Sequence, residues 1–288
     1  MIVVKTAFDL LKDITSYNRD IQRIIAYIKN TPYENVIFSP EKIELSDDEV
    51  HSFYEFLSRY KKHEPISKII GQKKFWTHTF FVDSNVLDPR PETELIIEEV
   101  IAQFNNINES FNFLDIGAGS GCILLSILSE LKKSNGIGID ISKNAIDVAE
   151  KNKDKLKIEN ATFLNISWNE IFSFLERKEI NIDVIVSNPP YIRTADIDFL
   201  DENVKNFDPH IALDGGEDGL SAYKEICYVA KNILRKNQKR TEEKYIFLEV
   251  GYDQAEYVKN ILEENEFFNI AFSKDLSGIN RVVIARII

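Results

Sequence analysis

A tetrapeptide rich in hydrogen-bond acceptors ends an apolar run in the second half of the chain. The run "VIVSNPPY" occupies residues 184–191 and closes with Asn188, Pro189, Pro190 and Tyr191. Neither proline has a backbone N–H, and the Asn188 side chain adds a carbonyl acceptor. The complement of such a turn is a planar NH2 group, and the Tyr191 ring offers it a flat face for stacking. The segment therefore predicts a site for a planar amino group, the plain alternative being a rigid strand exit.

A glycine cluster follows an earlier apolar run, in "LDIGAGSGC". The loop consists of Gly117, Ala118, Gly119, Ser120 and Gly121. Asp140 ends the next apolar run, 21 residues after Gly119. An acid at about this distance can accept hydrogen bonds from the ribose hydroxyls of an adenosine cofactor. The loop has the pattern G-x-G-x-G, not the dinucleotide pattern G-x-G-x-x-G, and no Arg or Lys to neutralise phosphate. It predicts an adenosine cofactor without a pyrophosphate, or else only a tight turn.

The elements that must position these residues alternate between strand and helix from residue 111 onwards. Strands are predicted at 111–117, 136–140, 161–166, 182–187, 245–250, 269–273 and 281–287. Helices are predicted at 122–133, 142–156, 219–234 and 253–265, with a helix-like stretch before the fourth strand. This alternation predicts an α/β fold with a doubly wound, mainly parallel seven-stranded sheet. Ligands bind beyond the carboxyl ends of such strands, and both motifs lie there.

The N-terminal region has a different pattern. Apolar residues recur at helical spacing: Phe8, Leu11, Ile14, Ile21, Ile24, Ile25 and Ile28. Ser46 followed by "DDEV" predicts a helix N-cap with acids in the first turn. We predict a helical bundle over residues 1–75, a linker with a β-hairpin over 76–90, and the sheet-containing domain over 91–288.

Composition limits the remaining classes of function. The net charge of −12 disfavours a sequence-nonspecific duplex binder. The partly basic run 235–244 is mixed in sign and predicts a solvated loop. Cys122 and Cys227 are too few for a disulfide framework and lack metal-ligand spacing, so we expect buried thiols and no metal. Without a run of about 18 apolar residues or a signal peptide, we expect a cytoplasmic protein with no membrane partner.

Six motifs in order carry a resemblance to one family. They are "LDPRPETELII" (87–97), "DIGAGSGC" (115–122), "SNPPYI" (187–192), "ALDGGEDGLSAY" (212–223), "FLEVGYDQAEYV" (247–258) and "LSGINRVVIARI" (276–287). Together they resemble the peptide chain release factor glutamine methyltransferase family, which has a Rossmann-like methyltransferase domain and a small helical N-terminal domain. The resemblance runs from about Glu64 to the C-terminus. The "PRPETE" run at 89–94 favours this branch over enzymes that methylate a glutamine of a ribosomal protein.

The resemblance implies an activity and a set of site residues. The family transfers a methyl group from S-adenosylmethionine to the amide nitrogen of the GGQ glutamine in class 1 release factors, and its helical domain helps to grip the release factor. It implies that the cofactor is held by Gly117, Ala118, Gly119, Ser120, Gly121, Asp140, Trp168 and Asn188. It implies that the glutamine is held by Asn188, Pro189, Pro190 and Tyr191, of which Asn188, Pro189 and Tyr191 are the catalytic set.

Ser167 departs from the family pattern. It stands where the family has an acid that contacts the adenine, so a backbone contact or the Asn165 side chain would have to replace that carboxylate.

Two other interpretations remain open at this point. The N-P-P-Y motif also resembles that of adenine and cytosine amino-methyltransferases, which need a basic cleft and a target-recognition domain. The acidic charge and the lack of an inserted domain argue against direct binding of nucleic acid. A cofactor-binding module without catalysis is the other alternative, although none of the motifs is broken.

Overall fold

The computed structural model describes residues 5–12, 19–104, 109–236 and 243–288. Ile14 and residues 237–242 of the basic run lie outside these ranges, so their predictions have no structural counterpart. The chain divides into two compact units. The first comprises residues 1–72 and 201–207, and the second comprises 73–200 and 208–288. The domain limits at 75 and 90 stay predictions.

The first unit is mainly helical. Its elements are β1 (Lys5–Thr6), α1 (Ala7–Lys12), α2 (Arg19–Ile28), α3 (Tyr33–Phe38), β2 (Glu44–Leu45), α4 (Asp47–Tyr60) and α5 (Ile66–Ile70). Ser46 caps α4 as predicted, because its Oγ accepts a hydrogen bond from the Glu49 N–H while the Glu49 carboxylate accepts one from the Ser46 N–H. A buried apolar cluster that includes Leu10, Ile24 and Phe53 forms its core.

A β-hairpin follows, made of β3 (Gln72–Phe75) and β4 (His78–Phe81). Its strands begin four residues before the predicted linker. Trp76 occupies the two-residue turn in a left-handed conformation with φ of 52°, which is uncommon for a residue with a side chain. The Trp76 N–H donates to Glu94 Oε1 at 2.8 Å, so the turn is fixed to the helix that follows.

A seven-stranded sheet forms the centre of the second unit. Its strands are β5 (Asn112–Ile116), β6 (Asn135–Asp140), β7 (Ala161–Asn165), β8 (Val184–Ser187), β9 (Lys244–Glu249), β10 (Phe268–Lys274) and β11 (Asn280–Ile287). The strand order is β10-β11-β9-β8-β5-β6-β7. Neighbours from β7 to β9 are parallel, whereas β11 is antiparallel to both β9 and β10. The predicted fold class is confirmed.

Helices cover both faces of this sheet. They are α6 (Glu94–Phe104), α7 (Cys122–Glu130), α8 (Lys143–Leu156), α9 (Trp168–Lys178), α11 (Ser221–Arg235) and α12 (Ala255–Glu264), while the short α10 (Glu202–Lys205) belongs to the first unit. In β5, Phe113 belongs to a buried cluster with residues of α6, α7 and α8, and Leu114 belongs to another with residues of α9, α11 and α12. Burial on both faces explains why these strands are continuous apolar runs. No helix in the described ranges is long and apolar enough to cross a membrane.

The strand order determines where a ligand can bind. β5 pairs with β6 on one side and with β8 on the other, so Asp115 lies opposite both Gly138 and Val186. The chain reverses its direction of progress across the sheet at this point, which opens a crevice at the carboxyl ends of the strands. The glycine loop leaves β5 there, and the N-P-P-Y turn leaves β8 beside it.

Candidate active site

A cavity of about 520 Å³ opens at this edge of the sheet. Its volume falls within the range of small-molecule sites, roughly 300–1,000 Å³. The predicted site residues that line it are Gly117, Ala118, Gly119, Ser120, Asp140, Trp168, Asn188 and Pro190. Gly121, Pro189 and Tyr191 lie next to these residues in sequence but do not form part of its wall. The fold therefore brings both motifs to one cavity.

The glycine loop is fixed to β6 by its own backbone. The N–H groups of Gly117 and Ala118 both donate to the Ile139 carbonyl at 2.9 Å. The Gly121 N–H donates to the Ala118 carbonyl at 2.7 Å, which closes the turn before α7. These backbone bonds fix both ends of the loop beside the cavity.

Asp140 connects the loop to the end of β6. Its Oδ2 accepts from the Gly119 N–H at 3.0 Å, and its Oδ1 accepts from the Ser142 N–H at 2.8 Å. Burial raises the pKa of Asp140, and these two N–H groups oppose that shift. A carboxylate oxygen has about two acceptor positions, so each oxygen retains one. Asp140 therefore suits two adjacent ribose hydroxyls, and the site fits an adenosine cofactor.

The far wall of the cavity carries an aromatic side chain with an acidic partner. The Trp168 Nε1–H donates to Glu225 Oε2 at 2.6 Å, and both residues line the cavity. Glu225 comes from α11, and no motif pointed to it. It supplies a carboxylate on the wall where Ser167 lacks one.

Ser167 and Asn165 are both occupied in local structure. The Ser167 N–H and Oγ–H donate to Glu170 Oε2 at 2.9 and 2.8 Å, which caps the start of α9. The Asn165 Nδ2 donates to the carbonyls of Asp140 and Ile141 at 3.0 and 2.8 Å. Asn165 braces the end of β6 and is not part of the cavity wall. Of the two replacements considered, the Asn165 side chain therefore has no support, and Glu225 is the better placed acid.

Asn188 and Pro189 carry the acceptors of this turn, of which Asn188 lines the cavity and Pro189 follows it in sequence. The Asn188 Nδ2 donates to Thr93 Oγ1 at 3.2 Å. Within the described ranges, no donor reaches the Asn188 Oδ1 or the Pro189 carbonyl. The absence of a competing N–H follows from the two prolines, as the sequence predicts. This edge of the cavity suits a group with two N–H donors.

Tyr191 lies behind this edge, packed against the core on the α11 side of the sheet. Its hydroxyl is 3.5 Å from Glu249 Oε1, and burial raises the pKa of this phenol. Its backbone carbonyl accepts from Gln254 Nε2 at 2.9 Å. The ring therefore packs against the core of the second unit, and its stacking against a substrate stays a prediction.

Two further buried polar residues were not found from the sequence. Thr93 and Glu249 are each 2% exposed. Burial raises the pKa of Glu249 to about 7, while its hydrogen bond with the Thr93 hydroxyl lowers that pKa in part. An acid at the end of a buried parallel strand was the available signal for Glu249, and it is the same signal that identified Asp140.

The "PRPETE" run contributes its own anchor. Arg90 lines the cavity, and its Nη2 lies 2.7 Å from Oδ2 of Asp208, whose side chain is fully buried. Lys73 pairs with Asp88 at 2.7 Å. These ion pairs hold the run that carries Thr93 against the cavity.

Two family descriptions match the chain. The one described as "Methyltransferase domain" matches residues 107–266, and the one described as "PrmC N-terminal domain" matches residues 3–71.

Full-length relatives agree with these matches. The release factor glutamine methyltransferase of Caulobacter vibrioides is 36% identical over 281 residues, which cover 96% of this chain and 93% of that protein. The release factor glutamine methyltransferase of Fusobacterium nucleatum is 34% identical over 310 residues, which cover 99% and 84%. A solved structure of the hMettl16 catalytic domain in complex with MAT2A 3′UTR hairpin 6 aligns with a TM-score of 0.57 at 12% identity, covering 85% of this chain and 83% of that one. At that identity it supports the fold alone.

Proposed function

Since this chain belongs to the family of release factor glutamine methyltransferases, we propose that it methylates the side-chain amide nitrogen of the glutamine in the GGQ tripeptide of class 1 peptide chain release factors. The observation that carries the proposal is the pair of acceptors, Asn188 Oδ1 and the Pro189 carbonyl, in a turn whose residues Asn188 and Pro190 line a cavity that fits the cofactor. A primary amide has two N–H donors and matches this pair.

The cofactor is S-adenosylmethionine, which supplies an electrophilic methyl group when it is bound. In the proposal, Asp140 accepts hydrogen bonds from its ribose and the loop from Gly117 to Gly121 borders its methionine part. Trp168 and Glu225 border its adenine. The apolar side chains of Ile116, Ile141, Ala145 and Ile166 complete this wall.

The acceptors position the substrate amide. An amide nitrogen is a poor nucleophile because its lone pair is delocalised. Hydrogen bonds to Asn188 Oδ1 and the Pro189 carbonyl would orient the nitrogen, and they would stabilise the positive charge that develops on it. A strong base is not needed before transfer, because the protonated product is highly acidic. Tyr191 would keep the turn in place from behind.

The partner protein follows from the same proposal. The helical first unit, over which the PrmC N-terminal domain matches, would help to hold the release factor. Because release factors act on cytoplasmic ribosomes, the proposal places the enzyme in the cytoplasm.

The test is transfer of a labelled methyl group to a purified class 1 release factor. We expect label on the wild-type substrate, none after Gln→Ala in its GGQ, and none with the Asn188→Ala enzyme. Asn232→Ala is the matched control, because Asn232 is exposed on α11 and donates to the Tyr228 carbonyl of its own helix. Label that persists after the Gln→Ala change would overturn the proposal. So would transfer to a ribosomal protein or an oligonucleotide in its place.

A further inference from the structure

A carboxamide side chain can face its site in two ways, and only one of them suits the proposed substrate. With Oδ1 towards the cavity, Asn188 accepts from an NH2 group. With Nδ2 towards the cavity, its N–H groups would face the N–H groups of the substrate amide, and no hydrogen bond could form between them. The backbone of the N-P-P-Y turn does not decide between these orientations, so another group has to do so.

Thr93 is placed to determine the orientation of the Asn188 carboxamide. Its Oγ1 lies 3.2 Å from Asn188 Nδ2, and the threonine is almost fully buried. A hydroxyl group has one hydrogen to donate and can also accept. If its hydrogen is directed elsewhere, it can only accept from Asn188, and a flipped amide would place Oδ1 against an oxygen lone pair.

Glu249, at the end of β9, is the acceptor placed to take that hydrogen. Its buried Oε2 has no hydrogen-bond partner within the described ranges, and the interaction of this carboxyl group with the Thr93 hydroxyl lowers its pKa. The Tyr191 hydroxyl is directed at the same carboxyl group, 3.5 Å from Oε1. The backbone carbonyl of Glu249 accepts from the buried Tyr223 hydroxyl at 2.8 Å, which fixes the strand end. The Thr93 Oγ1, which accepts from Asn188, therefore lies beside a buried carboxyl group on a fixed strand end.

We propose that Thr93 and Glu249 are positioning residues that hold the Asn188 amide with Oδ1 towards the cavity. The proposal rests on the proposed function, because the value of this orientation is to accept from a substrate NH2. The relay runs from the Asn188 Nδ2–H to Thr93 Oγ1 and from the Thr93 hydroxyl to Glu249. It makes the site selective for a primary amide over a carboxylate, which has no N–H to donate.

Two substitutions of one residue separate positioning from packing. Thr93→Val keeps the shape but cannot accept, and Thr93→Ser keeps the hydroxyl but loses a methyl group. We expect Thr93→Val to lower kcat by about 10- to 100-fold with the KM for S-adenosylmethionine and the Tm nearly unchanged. Thr93→Ser should recover most of kcat. Thr162→Val is the control, because Thr162 is exposed on β7 away from the cavity.

Glu249→Gln tests the second member of the relay. A glutamine can still accept from Thr93 through its Oε1, but it can also turn its NH2 towards the threonine. We expect a smaller loss of kcat than in Thr93→Val. A kcat in Thr93→Val equal to that of the wild type overturns the proposal, and so does a Thr93→Ser enzyme as slow as Thr93→Val.

A readout without substrate separates this proposal from the proposed function. The Asn188 carboxamide signals can be assigned in a ¹⁵N-labelled protein by their loss in Asn188→Ala. We expect slow exchange of these protons with D2O in the wild type and faster exchange in Thr93→Val. If the wild type transfers no methyl group to a release factor, the proposed function fails while this exchange still decides the orientation. Equal exchange in both proteins overturns the orientation whatever the substrate is.

Discussion

The Asp140 carboxylate accepts a hydrogen bond from the Gly119 backbone N–H at 3.0 Å, so the acid at the end of β6 is tied to the middle of the glycine loop. The same carboxylate accepts from the Ser142 N–H, at the start of α8. One side chain thus connects the glycine loop with the start of α8 at the cavity. The spacing of 21 residues between Gly119 and Asp140 is the feature of the sequence that corresponds to this contact.

Asp140→Asn should weaken cofactor binding strongly. An asparagine has one acceptor oxygen, so its NH2 would oppose the N–H of either Gly119 or Ser142. It would also lose the charge that favours ribose hydroxyls. We expect the Kd for S-adenosylhomocysteine to rise about 10- to 100-fold in calorimetric titration. Asp147→Asn is the control, because Asp147 is exposed on α8 and pairs with Lys143 at the surface. Unchanged affinity in Asp140→Asn would remove Asp140 from the cofactor site.

The two tryptophans of the chain make a matched pair for a fluorescence test. Each indole N–H donates to a glutamate: Trp168 to Glu225 at 2.6 Å, and Trp76 to Glu130 at 2.9 Å. Only Trp168 and Glu225 line the cavity. We expect Trp76→Phe to keep a fluorescence change on addition of S-adenosylhomocysteine, and Trp168→Phe to lose it. Trp168→Phe should also raise the Kd about 3- to 10-fold. The opposite pattern of fluorescence would exclude Trp168 from the adenine wall.

The sequence was sufficient for the parts of the fold that local pattern controls. Glycine spacing, strand-length apolar runs and the acid at position 140 are local features, and each lies where it was expected. Strand order is not local. The apolar runs at 269–273 and 281–287 do not show that β11 enters the sheet between β9 and β10, or that it runs antiparallel to both.

The supporting residues of the site were missed for the same reason. Thr93 meets Asn188 across 95 residues, and Glu225 meets Trp168 across 57. Neither contact has a periodicity or a spacing that a single sequence could show, because both depend on how a helix or turn docks against the sheet. The sequence pattern predicted the residues at the strand ends, whereas tertiary packing determines which residues they contact.

Two glycines of the loop should respond differently to alanine. At Gly121, φ is +76° and an added Cβ would lie 2.8 Å from Phe163 Cζ, so strain and overpacking combine. At Gly119, φ is +53° and no atom lies within 4 Å of the added Cβ. We expect Gly121→Ala to lower the free energy of unfolding by about 2–4 kcal/mol, and Gly119→Ala by about 1 kcal/mol. Urea denaturation measures both, and equal losses would contradict the contact with Phe163.

Two buried carboxyl groups should make stability depend on pH. Burial raises the pKa of Asp115 from 3.8 to about 7, and the Leu124 N–H offsets this only in part while Asp140 adds to it. The pKa of Glu249 rises from 4.5 to about 7, opposed by Thr93, Arg281 and Tyr191 and reinforced by Glu92. A group whose pKa is raised on folding binds its proton more tightly in the folded state. Its contribution is fully present below the unfolded pKa and is lost as the pH rises to about 7.

Replacing either acid by its amide should therefore remove this loss. We expect the free energy of unfolding of Asp115→Asn, relative to the wild type, to increase between pH 4 and 7 by on the order of 3 kcal/mol. Glu249→Gln should show the same sign between about pH 4.5 and 7. Asp275→Asn is the control of opposite sign, because hydrogen bonds from Ile279 and Arg281 lower the pKa of Asp275, so its contribution is lost only as the pH falls below 3.8. Urea denaturation at each pH measures the difference. A constant difference between Asp115→Asn and the wild type across the window would show that folding does not raise the pKa of Asp115.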